Sequence, residues 1–236
     1  MNQLLTQLTD SEFSLLISLP ANDIEMARAA LNGGAQGLKV HLNVAHFASG
    51  TRFGSWNEER ENIGAICQLA REHDASVGVV PGARAGDETP FATPDEFAQM
   101  AQIGLDYFDA YPADAPAWTL AQTDLDIMLA AYDGGSWDEL RVLESLGMRL
   151  CEASVARHED YGTALRARDL ASLRALCHAI SCPVIVPSQK RLTPDDIALL
   201  RKCGARGVLL GAIVTGRDAQ SIETATRQFA QRISHG

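Results

Sequence analysis

The sequence predicts an α/β fold, a single-domain (β/α)8 TIM barrel over residues 1–236, from three observations. Eight apolar runs of strand length alternate with amphipathic helical stretches, which fits a closed barrel better than a doubly wound sheet with its usual smaller number of units. Helix starts carry a repeated chemical signature, a side-chain cap followed three residues later by a carboxylate. The length of 236 residues and a hydrophobic content of 46% lie in the range where one α/β barrel buries a large core.

The strands fall at 14–20, 37–44, 76–82, 105–112, 125–133, 149–156, 183–188 and 207–214. Their helices begin at Asn22 with Glu25, Ser55 with Glu58, Thr93 with Glu96, Ser136 with Glu139, and Thr193 with Asp196; Pro94 and Pro194 take the favoured first helical position. Gly34, Gly104, Gly147 and Gly204 each close a helical pattern just before an apolar run, where a left-handed terminus is expected. Ile63, Ile66 and Leu69 line one helix face, and Leu170, Leu173, Leu176 and Ile180 line another. The weakest unit is the fourth, with room only for a short helix near 115–122. The polar stretch 82–93 reads as a strand-to-helix loop.

A formal charge of −10 argues against nucleic acid or an acidic lipid surface as partner, because those contacts require a basic face. A small molecule is the expected partner, and a homo-oligomer is compatible with the composition. Five scattered cysteines suit reduced thiols in a cytoplasm, and Cys177 with Cys182 lacks further metal-ligand spacing, so no metal site is assigned. The start has no basic n-region, and 18 successive apolar residues occur nowhere.

Active sites of such barrels sit at the carboxyl ends of the strands. In GLKVHLNVAH the period of two puts Val40, Leu42 and Val44 on the helix-facing side, and Lys39, His41 and Asn43 inside the barrel. Burying an ammonium and an imidazole is costly without a ligand or counter-charge. The alternative is an edge strand with a solvated polar face. The sixth strand supplies a counter-charge: Glu152 and Ser154 point inward, opposite the second strand, so Glu152 faces Lys39 and His41 either across a substrate or as a structural ion pair. Asp109 ends the fourth strand as a further catalytic candidate, and Ser18 ends the first as a weaker one. Asp126 and Asp133 read as a strand start and a turn residue. His46 falls in the loop after the second strand. The segment ARHEDYGTALR reads either as a mobile lid carrying Arg157, Arg166 or Arg168 towards an anion, or as a plain solvated loop.

The last two loops form the expected phosphate anchor. Ser188, Gln189 and Lys190 offer donors after the seventh strand, and Gly211, Ala212 and Ile213 give close backbone approach after the eighth. The alternative is that Lys190 and Arg191 are solvated turn charges and Gly211 serves strand packing.

With these features the chain resembles the ribulose-phosphate-binding barrel superfamily, without matching one family within it. KVHLNVAHFASGTRFG is similar to the second-strand region of ribulose-phosphate 3-epimerases in its His46–Phe47 and Phe53–Gly54 pairs. Where that family has a metal-binding His and a catalytic Asp, this chain has Lys39 and His41, and the family's Met-Asp pair falls on Asn43 and Val44. A lysine on an early strand is also similar to decarboxylases of that superfamily and to barrel synthases that condense triose phosphates.

The expected function is therefore an isomerase, epimerase or lyase acting on a small phosphorylated carbonyl or sugar-like compound, in carbohydrate metabolism. Lys39 would polarise the carbonyl or form a Schiff base, His41 would move protons, and Glu152 would serve as acid or base. Asn43 joins the phosphate loops as a substrate-binding candidate. The sequence requires no cofactor, and is compatible with a divalent metal or FMN. An FMN-binding barrel and a noncatalytic phosphate-metabolite binder are the other two readings.

Overall fold

The computed structural model describes residues 3–10, 13–82 and 90–235, so residues 83–89 of the expected loop lie outside the described residues. Eight parallel strands close into a barrel: β1 (Ser14–Ser18), β2 (Gly37–His41), β3 (Ser76–Val80), β4 (Tyr107–Ala110), β5 (Asp126–Tyr132), β6 (Leu150–Ser154), β7 (Val184–Pro187) and β8 (Gly207–Leu210). Neighbours in the chain are neighbours in the barrel, and β1 closes it by pairing with both β2 and β8. The solvated-edge reading of the second strand is thereby excluded.

The helices are α1 (Gln3–Asp10), α2 (Ile24–Asn32), α3 (Trp56–Glu72), α4 (Pro94–Ile103), α5 (Trp137–Ser145), α6 (Ala167–Ala179), α7 (Ile197–Cys203), α8 (Ala212–Thr215) and α9 (Ala219–His235). In the fourth unit the expected short helix is a single 3-10 turn, Ala117–Leu120. Ser55–Glu58, Thr93–Glu96 and Thr193–Asp196 form reciprocal caps, the last on a 3-10 turn that leads into α7. Ser136 accepts from the Asp138 and Glu139 N–H groups. All four expected helix-closing glycines take positive φ.

The first cap is a correction. Asp23, not Asn22, caps α2, accepting from the N–H groups of Glu25 and Met26. Asn22 is buried and clamps the end of β2 instead: its amide donates to the His41 carbonyl (2.7 Å) and accepts from the His41 N–H (3.1 Å). An Asn amide matches a peptide group donor for acceptor through two separate atoms, which an acceptor-only carboxylate cannot do.

Strand alternation sorts the side chains into two cores. Outward residues such as Ile17, Leu38, Val40, Val79, Phe108 and Leu129 pack under the helices. Inward residues Leu16, Tyr107, Met128, Leu150, Ile185 and Leu209 fill the lower barrel. Helix α1 closes that end, with Leu4 and Leu8, one turn apart, inserted among them. Full burial stabilises each by about 1.5–3 kcal/mol. Inward Tyr107 also explains Gly78, where a Cβ would lie 2.0 Å from the Tyr107 ring. Above this apolar plug the interior turns polar. Among the described residues no helix is long and apolar enough to cross a membrane.

Candidate active site

A cavity of about 570 Å³ opens at the carboxyl ends of the strands, and its floor is charged. Lys39 from β2 places Nζ 2.6 Å from Asp109 Oδ2 on β4 and 2.5 Å from Glu152 Oε2 on β6. All three side chains are buried, and all three line the cavity. The alternation that turns Val40 outward turns Lys39 inward, and the barrel brings β2 and β6, four strands apart, to opposite sides of one interior.

The two carboxylates are not equivalent. Glu152 receives a second donor, the Ser154 hydroxyl, at Oε1 (2.7 Å), whereas Asp109 Oδ1 is buried without a partner. Burial alone would raise Glu152, but Lys39, Asp109 and Ser154 together outweigh it and hold its pKa below the usual carboxylate value. Burial and the Glu152 charge push Asp109 up, against the pull of Lys39. Burial opposes the charge on Lys39, yet the two carboxylates overcome it and raise its pKa above the ordinary lysine value. The directions differ across the bridge: the surroundings of the ammonium favour the ionised form at Glu152 and oppose it at Asp109.

Beside this floor lies an imidazole wall. His41 approaches Ser18 Oγ through Nε2 (3.4 Å), stacks on Phe53 at 4.7 Å between ring centroids, and faces His46 at 4.6 Å. Burial first, then His46 and Lys39, drive the His41 pKa well below its ordinary value. Burial and Lys39 push His46 down to about 4, against a smaller pull from Glu152. Both rings are neutral at neutral pH. His41 Nδ1 is buried with no partner.

At the rim, the Gly211 N–H donates to Ser188 Oγ (2.7 Å), and Gly211 precedes the short helix α8. Ser188, Gln189, Gly211 and Ile213 line the cavity; Ala212 does not. The Gln189 amide is engaged by the protein: Oε1 accepts from the Ala156 N–H (2.9 Å), and Nε2 donates to Ser154 Oγ (3.2 Å) and Tyr161 Oη (2.6 Å).

Two sequence-predicted ligands lie elsewhere. Lys190 lines a separate cavity of about 180 Å³, where Nζ meets Thr163 Oγ1 (3.1 Å), Asp169 (3.6 Å) and Asp160 (3.7 Å). Those acidic partners come from α6 and from the loop before it, contacts that local sequence does not encode. Asn43 is absent from the cavity lining because β2 stops at His41: Asn43 takes a left-handed φ of 51°, and its N–H bonds to the Gly54 carbonyl (2.8 Å). That turn launches a small hairpin, Ala45–His46 paired with Thr51–Arg52.

The loop after β6 is tied down by the Gly162 N–H to the Gln189 carbonyl (2.8 Å) and the Arg191 N–H to the Thr163 carbonyl (2.9 Å). None of its arginines lines the mouth: Arg157 pairs with Asp133 (3.2 Å), Arg166 heads α6, and Arg168 faces the smaller cavity. Among the described residues the arginine that does line the mouth is Arg52, on the hairpin. Phe47 at the hairpin tip, 65% exposed, stacks on His158 of the β6 loop at 4.9 Å, and Tyr161 packs edge-on against both. Sequence reasoning missed Arg52, Phe47, Tyr161 and Tyr111 as lining residues. Only Tyr111 had a usable signal, as the next inward position after Tyr107 and Asp109. Among the described residues no cluster of three or more His, Cys, Asp or Glu side chains could hold a metal ion.

Fold and site together define a (β/α)8 barrel with a charged, cavity-forming mouth. No family profile and no curated protein matches the chain. Among solved structures it is similar to thiamine phosphate pyrophosphorylase from Pyrococcus furiosus (19% identity, 94% of this chain and 96% of that one, TM-score 0.66). It is also similar to tryptophan synthase from Mycobacterium tuberculosis (14%, 99% and 97%, 0.72) and to a mutant tryptophan synthase alpha-subunit from Pyrococcus furiosus (15%, 92% and 98%, 0.68). At these identities the likeness is one of fold, a (β/α)8 barrel.

Proposed function

We propose that the chain is an enzyme of lyase or isomerase type that moves a proton next to the carbonyl of a small phosphorylated compound held at the barrel mouth. The observation that carries this reading is the Asp109–Lys39–Glu152 bridge: two buried carboxylates with opposite pKa directions share one ammonium at the floor of an open cavity. Environments that separate the pKa values of paired carboxylates assign a base and an acid.

In this reading ionised Glu152 takes a proton from the carbon beside the carbonyl. The electron pair moves onto the carbonyl oxygen, where the Lys39 ammonium stabilises the enolate. Asp109, protonated, returns a proton to carbon or oxygen. A raised lysine pKa favours this polarising role over a Schiff base, because carbinolamine formation needs the free amine. Neutral His41 and His46 bound the reacting group without adding charge. The phosphate would meet the Ser188 hydroxyl and the backbone at Gly211–Ile213, across the cavity from the charged floor. The fold likeness to thiamine phosphate pyrophosphorylase, which by its name handles a phosphorylated compound, supports a barrel mouth used in this way.

Solvent exchange tests the reading without knowledge of the product. The chain in D2O, incubated with a panel of aldose, ketose and keto-acid phosphates, should wash deuterium into the position next to the carbonyl of at least one compound, seen by proton NMR. Binding of such a compound without any exchange would instead favour a noncatalytic metabolite binder.

A further inference from the structure

We infer that Gln189 is a positioning residue that determines which of the two site carboxylates holds the proton. The inference rests on the proton-transfer reading above and adds a residue that touches neither carboxylate. Its starting point is an atom with no choice: the Ala156 backbone N–H can only donate, so the amide atom it meets 2.9 Å away is the Gln189 oxygen. The other end is therefore the NH2 group, which donates to Ser154 Oγ at 3.2 Å and to Tyr161 Oη at 2.6 Å. Ser154 Oγ, with an N–H already directed at it, has one proton left to place, and Glu152 Oε1 lies 2.7 Å away. Glu152 thus gains a hydroxyl donor in addition to the Lys39 ammonium, while the ammonium is the one donor to Asp109 among the described residues. Asp109 Oδ1 is buried and unpartnered, and Asp109 itself interacts with Glu152. Two donors against one favour ionisation at Glu152 and the proton at Asp109.

The groups facing Glu152 are Lys39 from β2, Asp109 and Tyr107 from β4, Tyr111 just after it, Tyr161 from the β6 loop, and His46 from the hairpin. With His46 neutral and the tyrosine pKa values raised, Lys39 and Asp109 are the neighbours whose charge matters near neutral pH. Gln189 acts on the Ser154 hydroxyl without carrying charge itself; the Tyr111 hydroxyl is another uncharged neighbour of Ser154, and Gln189 is the one tied to the Ala156 backbone.

Gln189→Glu is nearly isosteric and reverses the polarity. Its carboxylate accepts from Ala156 as before, but also accepts from Ser154, which turns its proton away from Glu152. Ser154→Ala removes the same proton with no added charge. Titration of 13C-carboxyl-labelled protein by NMR, with Glu152 assigned from Glu152→Gln, reads the outcome without substrate. The Glu152 midpoint should rise by about one unit in both variants, since a hydrogen bond to a charged group is worth that much. The acid limb of the exchange rate should move up with it. An unmoved Glu152 midpoint in folded Gln189→Glu, or in Ser154→Ala should the first not fold, overturns the inference. A raised midpoint in protein that exchanges no substrate proton supports the role of Gln189 and counts against the proposed function.

Discussion

Lys39 on β2 and Glu152 on β6 stand four strands apart in the barrel and meet across it at 2.5 Å, with Asp109 completing the bridge at 2.6 Å. One cation between two buried carboxylates leaves the trio short of neutrality unless a carboxylate is protonated. The raised Asp109 pKa and the lowered Glu152 pKa are two expressions of that condition.

Lys39→Met should abolish proton exchange and cost about 3–5 kcal/mol of stability near neutral pH, the usual loss when one partner of a buried pair is removed. Lys39 with a raised folded pKa contributes stability that is complete below the unfolded lysine value and lost only at more alkaline pH. Without it, both carboxylates have raised folded pKa values, and stability falls as pH rises above the ordinary carboxylate range. The melting temperature of the variant should therefore drop more steeply than that of the wild type from pH 5 to pH 8. Parallel curves would show that the bridge is not the electrostatic centre of the fold.

Borohydride reduction in the presence of a panel of aldehydes and ketones should leave Lys39 unmodified at pH 7, because its amine is held as ammonium. Peptide mass mapping decides the point. An adduct on Lys39 would restore the Schiff-base alternative that the sequence left open.

His46 makes a separate, acid-side prediction. Its folded pKa of about 4 lies below the ordinary histidine value, so the folded protein holds it neutral while the unfolded chain takes up a proton. Its contribution is present above about pH 6.5 and is lost as pH falls towards 4, by about 2 kcal/mol between pH 7 and pH 5. His46→Gln should flatten the denaturation midpoint over that window. An unchanged slope would mean that the hairpin leaves His46 open to water.

The phosphate anchor separates from Lys190 by mutation. A Cβ at Gly211 has its nearest contacts at 3.8 Å, so Gly211→Ala should fold normally while placing a methyl group at the cavity rim. A roughly tenfold loss of affinity for phosphorylated ligands is expected, the effect of about one lost hydrogen bond. Lys190→Met should lower stability by leaving Asp160 and Asp169 without their cation, and should change that affinity little. Isothermal titration with inorganic phosphate and a sugar phosphate distinguishes the two; the reverse pattern would return the anchor to Lys190.

The sequence was most legible where strand periodicity alone decides direction. The barrel, the inward turn of Lys39 and His41, and the opposition of Glu152 all follow from a period of two and an eightfold count. It was least legible where the chain leaves a strand. Asn43 keeps the inward parity of Lys39 and His41, but a left-handed turn ends that parity before it can apply. Lys190 sits in a loop that reads as a ligand loop, and is captured by acidic residues from another segment. Arg52 and Phe47 reach the mouth only because that turn forms a hairpin over it. Helix α1 carries its signal in the spacing of Leu4 and Leu8, yet its role as barrel plug depends on the hole it fills.

The most direct test of the proton-transfer account is deuterium wash-in from D2O into a phosphorylated carbonyl compound, followed by proton NMR with wild type and Glu152→Gln side by side. Exchange next to the carbonyl is expected in the wild type, with a loss of at least about a hundredfold in the variant, the scale of a positioned general base. Exchange that persists undiminished in a folded Glu152→Gln protein would contradict it.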